Sequence, residues 1–188
     1  MRGEAGHGTA GSMDPDVARL IEALDLAPHP EGGYYRETFR AELVLEGLPG
    51  GQRAASTAIY YLLPAGSFSA LHRVRWDEVW HLYEGGPVDL HLFDPSRAGD
   101  RGPPGGRENL GDHRIARLGP SWDDGERPQH VVPGGVWQAA VTVADRFALC
   151  GCTVAPGFDF ADFELASRRE LLERFPTHHA VITSLTRT

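Results

Sequence analysis

Apolar and polar residues alternate with the two-residue period of β-strands over most of this chain. The longest such run is Gly66–Gly85, GSFSALHRVRWDEVWHLYEG, with a glycine at each end. Before it, Gly33–Glu46 and Ala54–Leu63 read as strands, the second rich in β-branched and aromatic residues and stopped by Pro64. After it come Val88–Phe93, a weaker candidate at Asn109–Leu118, a strand following the Pro133–Gly134–Gly135 turn, and a facing strand at Phe147–Ala155. Helical spacing occurs only near the ends. Over Asp14–Leu26, Val17, Leu20, Ile21 and Leu24 form one apolar stripe, with Asp14 to cap it and Pro15 at the first helical position. Ser167–Phe175 is a short helix opened by the Ser-x-x-Glu spacing of Ser167 and Glu170. Short strands between two peripheral helices predict an all-β sandwich or barrel.

Composition agrees with that architecture. The 23 glycines and 14 prolines imply many turns, and 188 residues suit one domain with a tail. We assign residues 1–13 to a disordered glycine-rich tail, residues 14–188 to a single domain, and Asp94–Arg107 to an exposed, mobile loop. A net charge of −8 without a basic run argues against nucleic acid as a partner. The sequence has neither a membrane-length apolar segment nor a signal-peptide core, so a cytoplasmic protein is expected. Cys150 and Cys152 would share a strand face about 6–7 Å apart, poor spacing for a disulfide, and read as small buried residues. Phe158, Phe160 and Phe163 read as aromatic plugs, and His178–His179 as surface.

Candidate chemistry concentrates in the central stretch. His72, Glu78 and His81 are ligand-capable side chains among apolar neighbours, the pattern of a site inside a barrel. Strand parity separates them: Glu78, Trp80 and Leu82 share one face and His81 takes the other. The pair that remains, His72 with Glu78, fits either proton chemistry or a plain buried hydrogen bond.

Gly66, His72, Glu78 and Gly85 match the first cupin motif, G-x5-H-x-H-x3-4-E-x6-G, with Val74 at its second histidine. Pro133 and Gly135 match part of the second motif, with Gln138 at its histidine, Thr142 at its asparagine and Arg127 at its leading glycine. With HPEGGYYRETFRA, STAIYYLL, DEVWHLYEGG, VPGGVWQAAV and TVAPGFDFADFELA, residues 20 to 176 resemble the cupin family first catalogued as a domain of unknown function (DUF985). The resemblance implies a double-stranded β-helix (cupin jelly roll) carrying the N-terminal helix and the short C-terminal one. It also implies a frequent homodimer, structurally near the sugar-epimerase-type cupins.

Catalytic cupins typically hold a divalent metal with three histidines and a glutamate, of which this chain keeps His72 and Glu78 and offers Gln138. The leading reading requires no cofactor. His72 is the general base, Glu78 its partner, and Tyr61 a proton donor. Gln138 and Arg36 hold a small polar or anionic ligand, and Trp80 and Phe147 wall the lumen. That makes an isomerase, epimerase or lyase. The alternatives are a metal-dependent oxygenase, decarboxylase or isomerase using His72, Glu78 and Gln138, and a non-catalytic ligand-binding or sensing module.

Overall fold

The computed structural model describes residues 13–97 and 113–187. The predicted tail (apart from Met13) and most of the predicted 94–107 loop therefore lie outside the described residues. Helix α1 (Pro15–Leu24) starts where Asp14 accepts a hydrogen bond from the Asp16 N–H, and it ends at Asp25 in a left-handed conformation. Thirteen strands follow among the described residues: β1 (Ala27–Pro28), β2 (Tyr34–Arg40), β3 (Val44–Leu45), β4 (Arg53–Ala54), β5 (Thr57–Leu63), β6 (Phe68–Val74), β7 (Asp77–Gly85), β8 (Val88–Phe93), β9 (His113–Leu118), β10 (Gln129–Val132), β11 (Trp137–Thr142), β12 (Ala148–Ala155) and β13 (Phe163–Leu165). Two short helices, α2 (Arg168–Arg174) and α3 (His179–Leu185), close the chain.

The strands form a double-stranded β-helix of two facing antiparallel sheets. One runs β1-β2-β5-β12-β7-β10, the other β13-β6-β11-β8-β9, and β3 pairs with β4 as a separate hairpin. Period-2 alternation aims one face of each sheet inward. Tyr61 and Leu63, Trp80, Cys150 and Cys152 meet Leu90, Leu92 and Ala140 across the interior. On the outside, α1 packs Val17 and Leu20 on Leu62, Phe147 and Leu149. Helices α2 and α3 lay Leu171, Phe175, Ile182 and Leu185 on Leu71, Phe93, Trp137 and Ala139.

Three expectations change. The strand expected over Gly33–Glu46 stops at Arg40, and only Val44–Leu45 resumes pairing, with β4. Strand β10 forms ahead of the Pro133–Gly134–Gly135 turn, where no strand was expected, because its backbone completes the edge of β7. Helix α3 was not foreseen. It makes His178 a buried residue rather than a surface one, with its ring against Phe93 and His113. No helix among the described residues is long and apolar enough to cross a membrane.

Candidate active site

One end of the interior is polar. Strand β6 carries His72, β7 carries Glu78, and β11 places Gln138 directly opposite His72 in register. The loop between β1 and β2, HPEGG, brings in His29 and Glu31. Its return is made by Gly32 and Gly33, both at positive φ (114° and 68°), a conformation that favours glycine. His29, Glu31, His72 and Glu78 line a cavity of about 40 Å3 together with Tyr35, Cys152, Phe158 and Phe163, and Gln138 stands behind it against Glu78. His72, Glu31, Glu78 and Gln138 are all buried.

The hydrogen bonds fix the orientation of each group. His72 Nδ1 lies 2.8 Å from the Ala70 carbonyl oxygen, so in the neutral ring Nδ1 carries the proton. The Glu31 carboxylate stands 3.3 Å from the same nitrogen and 3.5 Å from His29 Nδ1. The basic nitrogen of His72, Nε2, has no hydrogen-bond partner among the described residues. Gln138 is clamped at both ends: its Oε1 accepts from the Trp80 indole at 2.9 Å, and its Nε2 donates to Glu78 Oε2 at 2.5 Å. The Cys152 thiol also reaches Glu78.

Burial shifts the proton affinities in opposite senses. It raises the pKa values of Glu31 and Glu78, with His29 and His72 respectively opposing part of the shift. It lowers those of His72 and His29, with Glu78 and Glu31 opposing. A base that stays neutral thus stands beside an acid that holds its proton to higher pH. Such opposed shifts are what acid–base sites need.

The structure brings together only part of the expected set. His72 and Glu78 meet at the cavity, Gln138 reaches it only through its bond to Glu78, and Trp80 lies under Gln138 as its donor rather than as a wall. Tyr61 sits below the HPEGG loop with its hydroxyl donating to the Gly32 carbonyl at 2.7 Å, and burial raises its phenol well above the ordinary range. It braces the loop, with Glu31 and Ser69 beside the same hydroxyl, and is no ready proton donor. Arg36 is outside the lumen, half exposed, and paired with Asp25 at 3.3 Å. It faces away because Tyr35, its neighbour on β2, takes the inward position. Phe147 belongs to the outer cluster under α1. His81 faces out, as parity predicts, near Gln129 and Thr153.

Sequence reasoning did not identify His29 and Glu31 as site residues. The available signal was a histidine and a carboxylate in a Pro- and Gly-bounded loop leading into a strand. Cys152 was assigned only to packing, yet it lines the cavity as well as the core. Two of the three predicted plugs, Phe158 and Phe163, do close the cavity, while Phe160 is largely exposed and stacks on His29.

The donor set does not fit the metal centre that the motif implies. Val74 offers no ligand, and Gln138 Oε1 already accepts from Trp80. Among the described residues, no three His, Cys, Asp or Glu side chains converge as a metal-binding group.

Comparison with known proteins agrees with this architecture. The model of the cupin superfamily family DUF985 matches residues 18–166. An uncharacterized Saccharomyces cerevisiae protein is 30% identical over 160 residues, covering 78% of this chain and 73% of its own. A crystal structure from Shewanella oneidensis superposes with a TM-score of 0.77 at 36% identity, covering 90% of this chain and 96% of that one. A hypothetical protein from Leishmania major gives 0.78 at 34%, covering 91% and 98%. A Rhodospirillum rubrum cupin-2 domain, at 15% identity and a TM-score of 0.54 over 86% and 88% of the two chains, shares the fold. The chain belongs to the DUF985 family of the cupin superfamily.

Proposed function

We propose that this protein is an acid–base enzyme that isomerises, epimerises or eliminates at a carbon next to a carbonyl in a small polar metabolite. The observation that carries this reading is the fixed His72 ring. Its Nδ1–H is committed to the Ala70 carbonyl, with the Glu31 carboxyl 3.3 Å away, which leaves Nε2 as a base with no protein partner beside the cavity. His72 Nε2 takes the carbon-bound proton. The Glu31 carboxylate, facing Nδ1–H, stabilises the imidazolium that results. Glu78, held by Gln138 and with its pKa raised by burial, gives its proton to the carbonyl oxygen as the enol forms. Returning the proton to carbon completes an isomerisation or epimerisation, and expelling a β-leaving group completes an elimination. The expected anionic substrate loses its support, since Arg36 is outside and no Lys or Arg lines the cavity. Two carboxyl groups and aromatic walls suit an uncharged hydroxy-carbonyl compound instead.

The test is solvent exchange. The protein is incubated in D2O with a panel of uncharged hydroxy-aldehydes, hydroxy-ketones and sugars, and deuterium incorporation next to the carbonyl is read by NMR. His72→Asn is expected to reduce exchange about 100-fold or more, in line with the usual contribution of one general base. Exchange unaffected by His72→Asn, or a compound that binds tightly and never exchanges, would overturn the reading.

A further inference from the structure

The inner cavity is far smaller than the pockets of roughly 300–1,000 Å3 that hold small organic ligands. A second compartment of about 410 Å3 lies immediately outside it, bounded by Arg73, Arg75, Gly134 and Asp162. Two side chains, Phe163 and Val74, face both spaces. They are opposite each other in register, Phe163 on the edge strand β13 and Val74 at the end of β6. The wall between the compartments is therefore one side chain thick.

We propose that Phe163 determines access to the cavity and the size of substrate it takes. Its ring is the movable partition: swung toward the outer compartment, it joins the two spaces. The reacting end of a substrate then reaches His72 while the remainder lies outside. The backbone beneath is fixed, which confines the motion to the side chain. Asp162, the preceding residue, accepts from Arg53 at 2.7 and 3.0 Å, from Arg75 at 2.8 Å and from the Trp76 indole at 3.0 Å. Val74 cannot take this part, since its central β6 strand is paired on both sides and its side chain is short and branched. Another outer groove, around Pro28, Gly33, Pro64 and Arg187, shares only His29 with the cavity. His29 is braced edge-on by Tyr35 at 4.5 Å, and its Nδ1 faces Glu31, so opening that wall would dismantle the site itself. The proposal rests on the reading of the inner cavity as the place of reaction, but its test reads access alone.

Cys152 lines the inner cavity, and Cys150, two residues away on the same strand, is buried in the core and does not. Both are free thiols. Each variant is treated with methyl methanethiosulfonate, and the two sites are resolved by fragment mass mapping. Phe163→Ala is expected to raise the Cys152 rate at least tenfold relative to Cys150, and Phe163→Trp to lower it. Phe158→Ala, which trims a cavity wall that does not border the outer compartment, is expected to leave the ratio within about twofold. Equal labelling of both cysteines in Phe163→Ala would mean unfolding rather than gating and would sink the proposal. So would acceleration by Phe158→Ala as large as that by Phe163→Ala. Should Phe163→Ala not fold, Phe163→Leu and Phe163→Trp must still move the ratio in opposite directions. Failure of the acid–base reading is seen separately, in deuterium exchange.

Discussion

Two buried carboxyl environments stand on either side of Phe163, and burial has opposite consequences in them. Asp162, in the strap before β13, is surrounded by donors: two guanidinium groups and an indole N–H. Burial alone would raise its pKa, but the hydrogen bonds from Arg53, Arg75 and Trp76 outweigh it and the net shift is down. Glu31 and Glu78 are equally hidden but face imidazoles, an amide and a thiol, and their pKa values are raised. A full set of cationic donors makes a carboxylate into a fastener. An incomplete set leaves a proton that can move. Depth of burial therefore says less about function than the number and charge of the donors.

The largest effect should come from breaking the fastener. Asp162→Ala strands the Arg53 guanidinium, whose side chain is only 6% exposed, and releases the strap that carries Phe163. Losing one partner of a buried pair costs about 3–5 kcal/mol. We expect that drop in urea-unfolding stability at pH 7, with the slope unchanged. The folded pKa of Asp162 lies below its unfolded value near 3.8, so its stabilisation is present above that value and is lost as the pH falls through the folded one. The penalty of Asp162→Ala should therefore shrink below about pH 4. A penalty that persisted there would mean that the strap is held by packing rather than charge.

The same contrast shows how much was legible in the sequence. The fold was, because the period-2 alternation and the cupin motifs act locally along each strand. His72 and Glu78 followed from motif spacing, and the outward turn of His81 from strand parity. Arg36 and Phe147 were misplaced because their strand faces were assigned without knowing which side α1 covers. Val17 and Leu20 seat on Phe147 and Leu149, and that contact alone fixes the outer face. Glu31 and Asp162 went unrecognised for one reason: each sits outside the strands and finds its partners 41 and 109 residues away, at His72 and Arg53. No periodicity encodes such a meeting. Tyr61 was placed in the right neighbourhood but given the wrong task, since the Gly32 carbonyl that accepts its hydrogen bond lies 29 residues away.

A smaller effect of opposite sign is expected inside the cavity. Glu78→Gln keeps the shape and an oxygen to accept from Gln138, and it removes a carboxyl whose ionisation burial opposes. Because the folded pKa of Glu78 is raised, its protonated form favours the folded state at low pH, and that advantage is lost as the pH rises through the folded value. Glu78→Gln should therefore match the wild type near pH 4 and be more stable by about 1 kcal/mol near pH 8, at the expense of exchange activity. Equal destabilisation at both pH values would place Glu78 with Asp162 as a fastener and erase the distinction.

The smallest effect belongs to a third carboxylate. Asp25 pairs with Arg36 at 3.3 Å, but the two side chains are 87% and 50% exposed. Water already solvates both charges, and ordering two long side chains offsets most of the attraction. Such pairs contribute roughly 0–1 kcal/mol, less in salt. Arg36 also donates to the Leu24 carbonyl at 3.3 Å, where it steadies the end of α1. Arg36→Ala should therefore shift the urea midpoint by no more than the equivalent of about 0.5 kcal/mol. The shift should diminish between 0.05 and 0.5 M NaCl, and deuterium exchange next to the carbonyl should be unchanged. A tenfold loss of exchange in Arg36→Ala would return this guanidinium to the substrate, which its position 12 residues along the chain from Leu24 and outside the cavity does not permit. The carboxyl groups thus sort into three kinds: solvated and nearly silent at Asp25, saturated and structural at Asp162, and buried with raised pKa values at Glu31 and Glu78.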